Sequence, residues 1–149
     1  MSAEEVAATH NRNVAGFAGK FLSTFIVTGR TGIPLSDEAI RVMVMVHADG
    51  TFDARDDSCW CNVILKKRRK IERARRLLKE AGIAFSDTPH SDGYRRLRFY
   101  APERNKTYSG WWECTASQLR IVVDEVMHWD GSEFHDQFYT AKKEEADFI

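Results

Sequence analysis

Ile40-Arg41-Val42-Met43-Val44-Met45-Val46-His47-Ala48-Asp49-Gly50 and Leu119-Arg120-Ile121-Val122-Val123-Asp124-Glu125-Val126-Met127-His128-Trp129-Asp130-Gly131 read as two copies of one pattern. Each is an apolar run of helical length that closes on His-x-Asp-Gly, so a carboxylate stands at the end of each helix. The likeness continues past the glycines. After Gly50 come the strand-like Cys61-Asn62-Val63-Ile64-Leu65, then Lys66-Lys67 and a helix of long side chains. After Gly131 come Phe138-Tyr139-Thr140, then Lys142-Lys143 and a helix-like start at 144–149. The same elements in the same order mark an internal duplication whose second copy is the shorter. An Asp-Gly pair after a helix is also an ordinary helix stop, and the repetition is what sets these two apart.

Working outward, Ser36 followed by Asp37 and Glu38 predicts a helix start, and the first motif helix runs over 37–48. Residues 51–65 read as a hairpin turning at Asp56-Asp57-Ser58. Over 67–81, Ile71, Ala74, Leu77, Leu78 and Ala81 recur at helical intervals, with Gly82 as the stop. Ile83-Ala84-Phe85 and 94–100 form a second hairpin around His90-Ser91-Asp92-Gly93. Alternation puts Tyr94, Arg96, Arg98 and Tyr100 on one face of its latter strand and Arg95, Leu97 and Phe99 on the other. A loop over 102–110 leads to the second motif helix at 117–129. The chain divides into an N-terminal extension (1–32), a first repeat (33–105) and a partial second repeat (106–149). The second copy lacks a counterpart of 83–100. The chain is therefore expected to be a fragment, or to be completed by a second chain or by self-association through an apolar edge around Phe138, Tyr139 and Phe148.

The order of helix ending in Asp-Gly, hairpin, basic helix, second hairpin and second such helix resembles the LAGLIDADG homing endonucleases, over roughly 33–149. The resemblance implies an α/β (α+β) fold: a helix-hairpin-helix-hairpin unit plus a partial second copy, with paired motif helices against a curved antiparallel sheet. It implies a site-specific endonuclease of double-stranded DNA. Asp49 and Asp130 then hold Mg2+ or Mn2+, the carbonyls of Ala48 and Trp129 add ligands, and Gly50 and Gly131 let the chain turn sharply into a strand. The family's basic or polar residues near the scissile phosphates fall on Lys66 and Lys70. Its lysine after the fourth strand has no clear counterpart at Ala101-Pro102, although Arg104 and Lys106 are near. The chain departs from the family where its motif helices carry small residues: Val42, Val46, Val122, Val126 and the bulky Trp129 predict a wider helix spacing. The alternatives are a cleavage-inactive nucleic-acid-binding module or splicing cofactor of the same fold, and an intein-derived endonuclease fragment. Self-splicing is not expected, since Arg12 follows His10-Asn11 and the pair lies at the wrong terminus.

A chain of 149 residues with 43% hydrophobic content can bury the core of one domain. With 22 Lys and Arg against 22 Asp and Glu, whole-chain charge does not point to a polyanion, but its distribution does. Residues 66–79 carry nine bases and one acid, Glu72, which leaves little opposite-sign pairing at i,i+4 and predicts an external polyanion. Lys66, Lys67, Arg68 and Lys70 are the expected phosphate contacts. Asp53, Arg55, Asn62, Arg96 and Arg98 are candidates for reading bases in the major groove, an exposed strand face being the other reading of each. His47 and His128 hold equivalent places and are expected to pack at the helix interface or to tune the site. Cys59, Cys61 and Cys114 are an odd set without a paired Cys-x-x-Cys, which favours free thiols over a zinc site. With no leader and no apolar run of membrane-spanning length, the chain is expected to be soluble and intracellular: cytoplasmic, or in a host cell if phage or a mobile element encodes it.

Overall fold

Between Ile40 and Val46 six of seven residues are apolar, and a helix with no polar face must be covered on every side. In the computed structural model, which describes residues 29–55, 57–132 and 137–138, that covering is complete. Helix α1 (Asp37–Asp49) has Ile40 and Val42 through Val46 at most 1% exposed. Ser36 caps it as its sequence predicts, the hydroxyl accepting from the amide of Ala39 at 3.2 Å, with Asp37 and Glu38 complementing the helix dipole.

On one side of α1 lie two hairpins, β1 (Gly50–Phe52) with β2 (Trp60–Leu65) and β3 (Phe85–Pro89) with β4 (Arg95–Tyr100). They join through β2 and β4 into one antiparallel sheet in the order β1-β2-β4-β3, giving a mixed α+β architecture. The register pairs Cys61 with Phe99 and Val63 with Leu97, and all four side chains are buried. The alternate set, Trp60 with Tyr100, Asn62 with Arg98 and Ile64 with Arg96, faces outward, as the alternation in 94–100 predicts. Pro89 sits at the end of the edge strand β3, where a missing N–H costs no ladder bond.

Helix α2 (Arg68–Glu80) connects the hairpins and buries Ile71, Ala74, Leu77 and Leu78, the residues its periodicity selects. Gly82 at φ +66° ends it, and the amide of Ile83 returns to the carbonyl of Leu78 at 2.8 Å. Helix α3 (Ala116–Trp129) packs directly on α1. It opens with a reciprocal cap between Thr115 and Gln118. The Gln118 amide also accepts from the Ile33 N–H at 3.0 Å and donates to its carbonyl at 2.9 Å, tying the segment before α1 to the start of α3. After Asp130, short strands β5 (Gly131–Ser132) and β6 (Gln137–Phe138) pair antiparallel.

The segment expected as a plain loop, 102–110, leads into part of the core. Tyr108, Trp111 and Cys114 are buried, and the Trp111 indole donates to Glu103 at 2.9 Å. Local polarity hides this, because two aromatic rings suffice to anchor an otherwise polar stretch. The apolar edge expected around Phe138, Tyr139 and Phe148, the stretch at 144–149, residues 1–28 and Asp56 lie outside the described side chains.

Candidate functional site

Asp49 is the last residue of α1 and Asp130 caps the end of α3, so packing the two helices side by side brings their terminal acids to one place. Lys70, from the first turns of α2, reaches between them. Its Nζ is 2.7 Å from Asp49 Oδ2 and 3.9 Å from Asp130 Oδ1. The two carboxylates are therefore no farther apart than those distances laid end to end. The Lys70 side chain is only 12% exposed, and its ammonium lies 5.6 Å from the centroid of the Trp129 ring. Between the helices, beside Val44, Ala48, Val126 and Trp129, is a cavity of about 20 Å³, room for about one water.

Gly50 is required here for space. Its backbone (φ −79°, ψ 154°) is open to any residue, but a Cβ would lie 2.6 Å from the Val46 carbonyl oxygen and 3.0 Å from Cys61 Sγ. The expected sharp turn gives way to close approach between α1 and β2. The Gly50 carbonyl accepts from Lys106 Nζ at 2.5 Å, whereas Arg104 turns away to the carbonyls of Ser58 and Asp53. Of the two bases near the expected lysine position, Lys106 is the one beside the motif.

One turn back along α3, Glu125 interrupts an apolar run and is fully buried. Its carboxylate accepts four hydrogen bonds: Arg73 Nε (2.7 Å) and Trp129 Nε1 (2.8 Å) on Oε1, and Arg73 Nη2 (2.6 Å) and Arg41 Nη1 (3.2 Å) on Oε2. That saturates its acceptor capacity and ties α1, α2 and α3 together. Burial pushes its pKa up, but the hydrogen bonds and charge of Arg73, with Trp129 and Arg41, outweigh burial and hold it below the ordinary value.

The basic helix is far better neutralised than its own sequence suggests. Arg68 pairs with Glu72 at 2.7 Å and Arg76 with Glu80 at 3.8 Å along α2, exposed pairs of little worth. Its other partners come from elsewhere. Besides Lys70 and Arg73, Arg75 meets Asp87 at 2.5 Å and Arg69 donates to the His128 carbonyl at 2.6 Å. Burial raises the Asp87 pKa, but hydrogen bonds from Arg95 and Arg75 overcome it and hold the carboxyl low. Counting i,i+4 neighbours misses acids that folding delivers. Among the described residues Lys66, Lys67 and Lys79 have no acid partner. Lys66 leaves the carboxylate pair altogether, lying over the Tyr94 ring at 5.2 Å at the exposed end of β2.

Asn62, Arg96 and Arg98 share the outer face of the sheet. Asp53 and Arg55 engage each other at the end of the first hairpin, Arg55 Nε donating to Asp53 Oδ1 at 3.2 Å. The Arg55 amide, which donates to the same carboxylate, and then that side-chain contact hold Asp53 below its ordinary pKa. The equivalent histidines diverge: His47 is buried edge-on to Tyr108 at 4.5 Å, with Trp111 at 5.0 Å, while His128 is half-buried. His47 thus packs on the loop that enters the core. Cys61 and Cys114 are buried, which pushes both thiols up to about 11, and all three cysteines are free. Among the described residues there is no cluster of three or more His, Cys, Asp or Glu, and no helix long and apolar enough to cross a membrane. The chain matches no model of a known protein family and none of the curated proteins.

Proposed function

We propose that the chain is a LAGLIDADG-type endonuclease domain, or part of one, that hydrolyses phosphodiester bonds at a specific site in double-stranded DNA with magnesium or manganese. The observation that carries this reading is the convergence of Asp49 and Asp130, terminal acids of two packed apolar helices, on one cation. The order helix, hairpin, helix, hairpin, helix, with both hairpins in one antiparallel sheet, supports it.

The residues fit a divalent ion, because the Lys70 ammonium already stands where such an ion is attracted by both carboxylates. Magnesium needs only one or two carboxylates besides water and phosphate oxygens, and the carbonyls of Ala48 and Trp129 belong to the same helix ends. When bound, the ion supplies an activated water and a positive charge for the leaving oxygen. Asp49 and Asp130 would hold it, and Lys70, now paired with Asp49, would be available to the phosphate. Lys66, Lys67 and Arg68 at the open end of α2 hold flanking phosphates, while Asn62, Arg96 and Arg98, with Arg55 at the hairpin end, face the groove.

The cleavage-inactive binding module draws on the same contact: Lys70 supplies internally the charge an ion would bring. Nicking of duplex DNA with Mg2+ separates the two. Asp49→Asn and Asp130→Asn are each expected to abolish nicking while duplex affinity stays similar or rises, since each removes a negative charge near phosphate. Unchanged nicking by either variant ends its role. A parent that binds duplex but nicks no member of a randomised target library is the binding module.

A further inference from the structure

Beside the Arg96 and Arg98 assigned to the groove, the outer face of the sheet carries exposed aromatic rings that duplex cleavage does not use. At one end Trp60 on β2 lies opposite Tyr100 on β4, their rings edge to face at 5.6 Å, and they remain 40% and 53% exposed. The guanidinium of Arg98 lies over the Trp60 ring at 4.8 Å. At the other end Lys66 lies over Tyr94, itself 37% exposed, and Arg96 stands between. Neither β1 nor β3 adds a carboxylate to this face. Asp53, just past β1, feels Arg98 but is engaged by Arg55. Among the described residues Arg96 and Arg98 have no carboxylate partner, and Arg96 instead meets the His90 ring nitrogen at 3.3 Å. Beside Trp60, against Phe85 and Ser86 of β3, is an open hollow of about 380 Å³, within the range of small-ligand sites.

We infer that this end of the sheet is a stacking site for unpaired bases of a single-stranded nucleic acid. Trp60 and Tyr100 supply the stacking surfaces, and Arg98 covers the base with its guanidinium plane or takes the adjoining phosphate. Arg96 and Lys66 continue the path of the backbone along the face. Charge complementarity selects the occupant: cations without acids call for a polyanion, and exposed rings call for a polyanion with free π-faces. Bases in a duplex have both faces covered by their neighbours and offer a protein only their edges, so these rings have nothing to stack on there. The inference does not rest on cleavage, because neither Asp49 nor Asp130 takes part.

The test is fluorescence anisotropy of the full chain with a labelled twelve-nucleotide oligothymidylate and with a random duplex of the same length. The parent is expected to bind the single strand more tightly than the duplex. Trp60→Leu and Tyr100→Leu are each expected to weaken single-strand binding about tenfold, the scale of one lost base stack, with unchanged circular dichroism. Trp60→Phe, which keeps a ring, should restore most of the affinity. Arg98→Gln should shallow the log–log salt slope by about 0.7 if it takes a phosphate. Single-strand affinity unchanged in Trp60→Leu overturns the inference. So does duplex binding that equals or exceeds single-strand binding, or self-association of the parent that Trp60→Leu abolishes. Asp49→Asn should bind the oligonucleotide as the parent does, so failure of the endonuclease reading and failure of this one are told apart.

Discussion

At the junction of the three helices Lys70, Arg73 and Arg41 each meet a carboxylate, whereas on the outer face of the sheet Lys66 and Arg98 lean on aromatic rings and Arg96 on a histidine. The two regions draw on the same residue types and use them oppositely. Inside, a cation answers an acid from a distant part of the chain, and the pair holds helices in register. Outside, the cations meet no acid among the described residues. The formal charge of zero for the whole chain describes neither arrangement.

The comparison is easiest to break by removing Glu125. Glu125→Ala leaves the largely buried Arg73 guanidinium without its carboxylate and is expected to cost about 3–5 kcal/mol in denaturant unfolding. Arg98→Gln, on the outer face, is expected to change stability by less than about 0.5 kcal/mol. Similar losses from the two would mean that the sheet-face cations are structural after all.

Lys70→Met sharpens it at the candidate site, by leaving Asp49 and Asp130 close together without their cation. The variant should melt lower than the parent in a chelator and gain more from Mn2+, up to about 2.7 kcal/mol at a hundredfold excess over the dissociation constant. Equal gains would show that Lys70 and the ion do not compete.

Acid should act through the carboxylates that arginines hold. Glu125 and Asp87 both have folded pKa values held below their ordinary values of 4.5 and 3.8. The stability they contribute is fully present above those values and is lost as pH falls through the lowered ones. Unfolding midpoints followed downward from pH 6 should therefore fall below about pH 4.5, and less steeply in Glu125→Gln. An identical slope in parent and variant would remove Glu125 from the acid transition.

The smallest effect expected is at the open start of α2. Replacing Lys66 and Lys67 with Gln should shallow the salt dependence of duplex binding by about 0.9 per lost phosphate contact, weaken all duplexes alike and leave the melting temperature in place. An unchanged slope would make these lysines solvated surface.

Much of the fold is legible in consecutive residues. Ser36 and the run 40–46 announce α1, the spacing of Ile71, Ala74, Leu77 and Leu78 announces α2, and alternation in 94–100 separates Leu97 and Phe99 from Arg96 and Arg98. Helix and strand periods are local properties, so they survive without knowledge of the partners. The acids at the two helix ends are legible for the same reason. What Lys70 does is not, because its partner Asp49 lies 21 residues away and the distance depends on how α2 docks.

Glu125 makes the point most sharply. In the sequence it reads as a flaw in an apolar helix, yet its partners Arg73 and Arg41 stand 52 and 84 residues away. The choice of Lys106 over Arg104 beside Gly50 and the meeting of Trp60 with Tyr100 across strands likewise needed the register of β2 on β4 and the path of the connecting loop. The sequence by itself determined which segments are helix and strand and which face of each is apolar, since those follow from periodicity. Only the tertiary structure decided which charges are paired internally and which meet no acid among the described residues, because ion pairs are chosen by proximity after packing, and packing is a property of the whole chain.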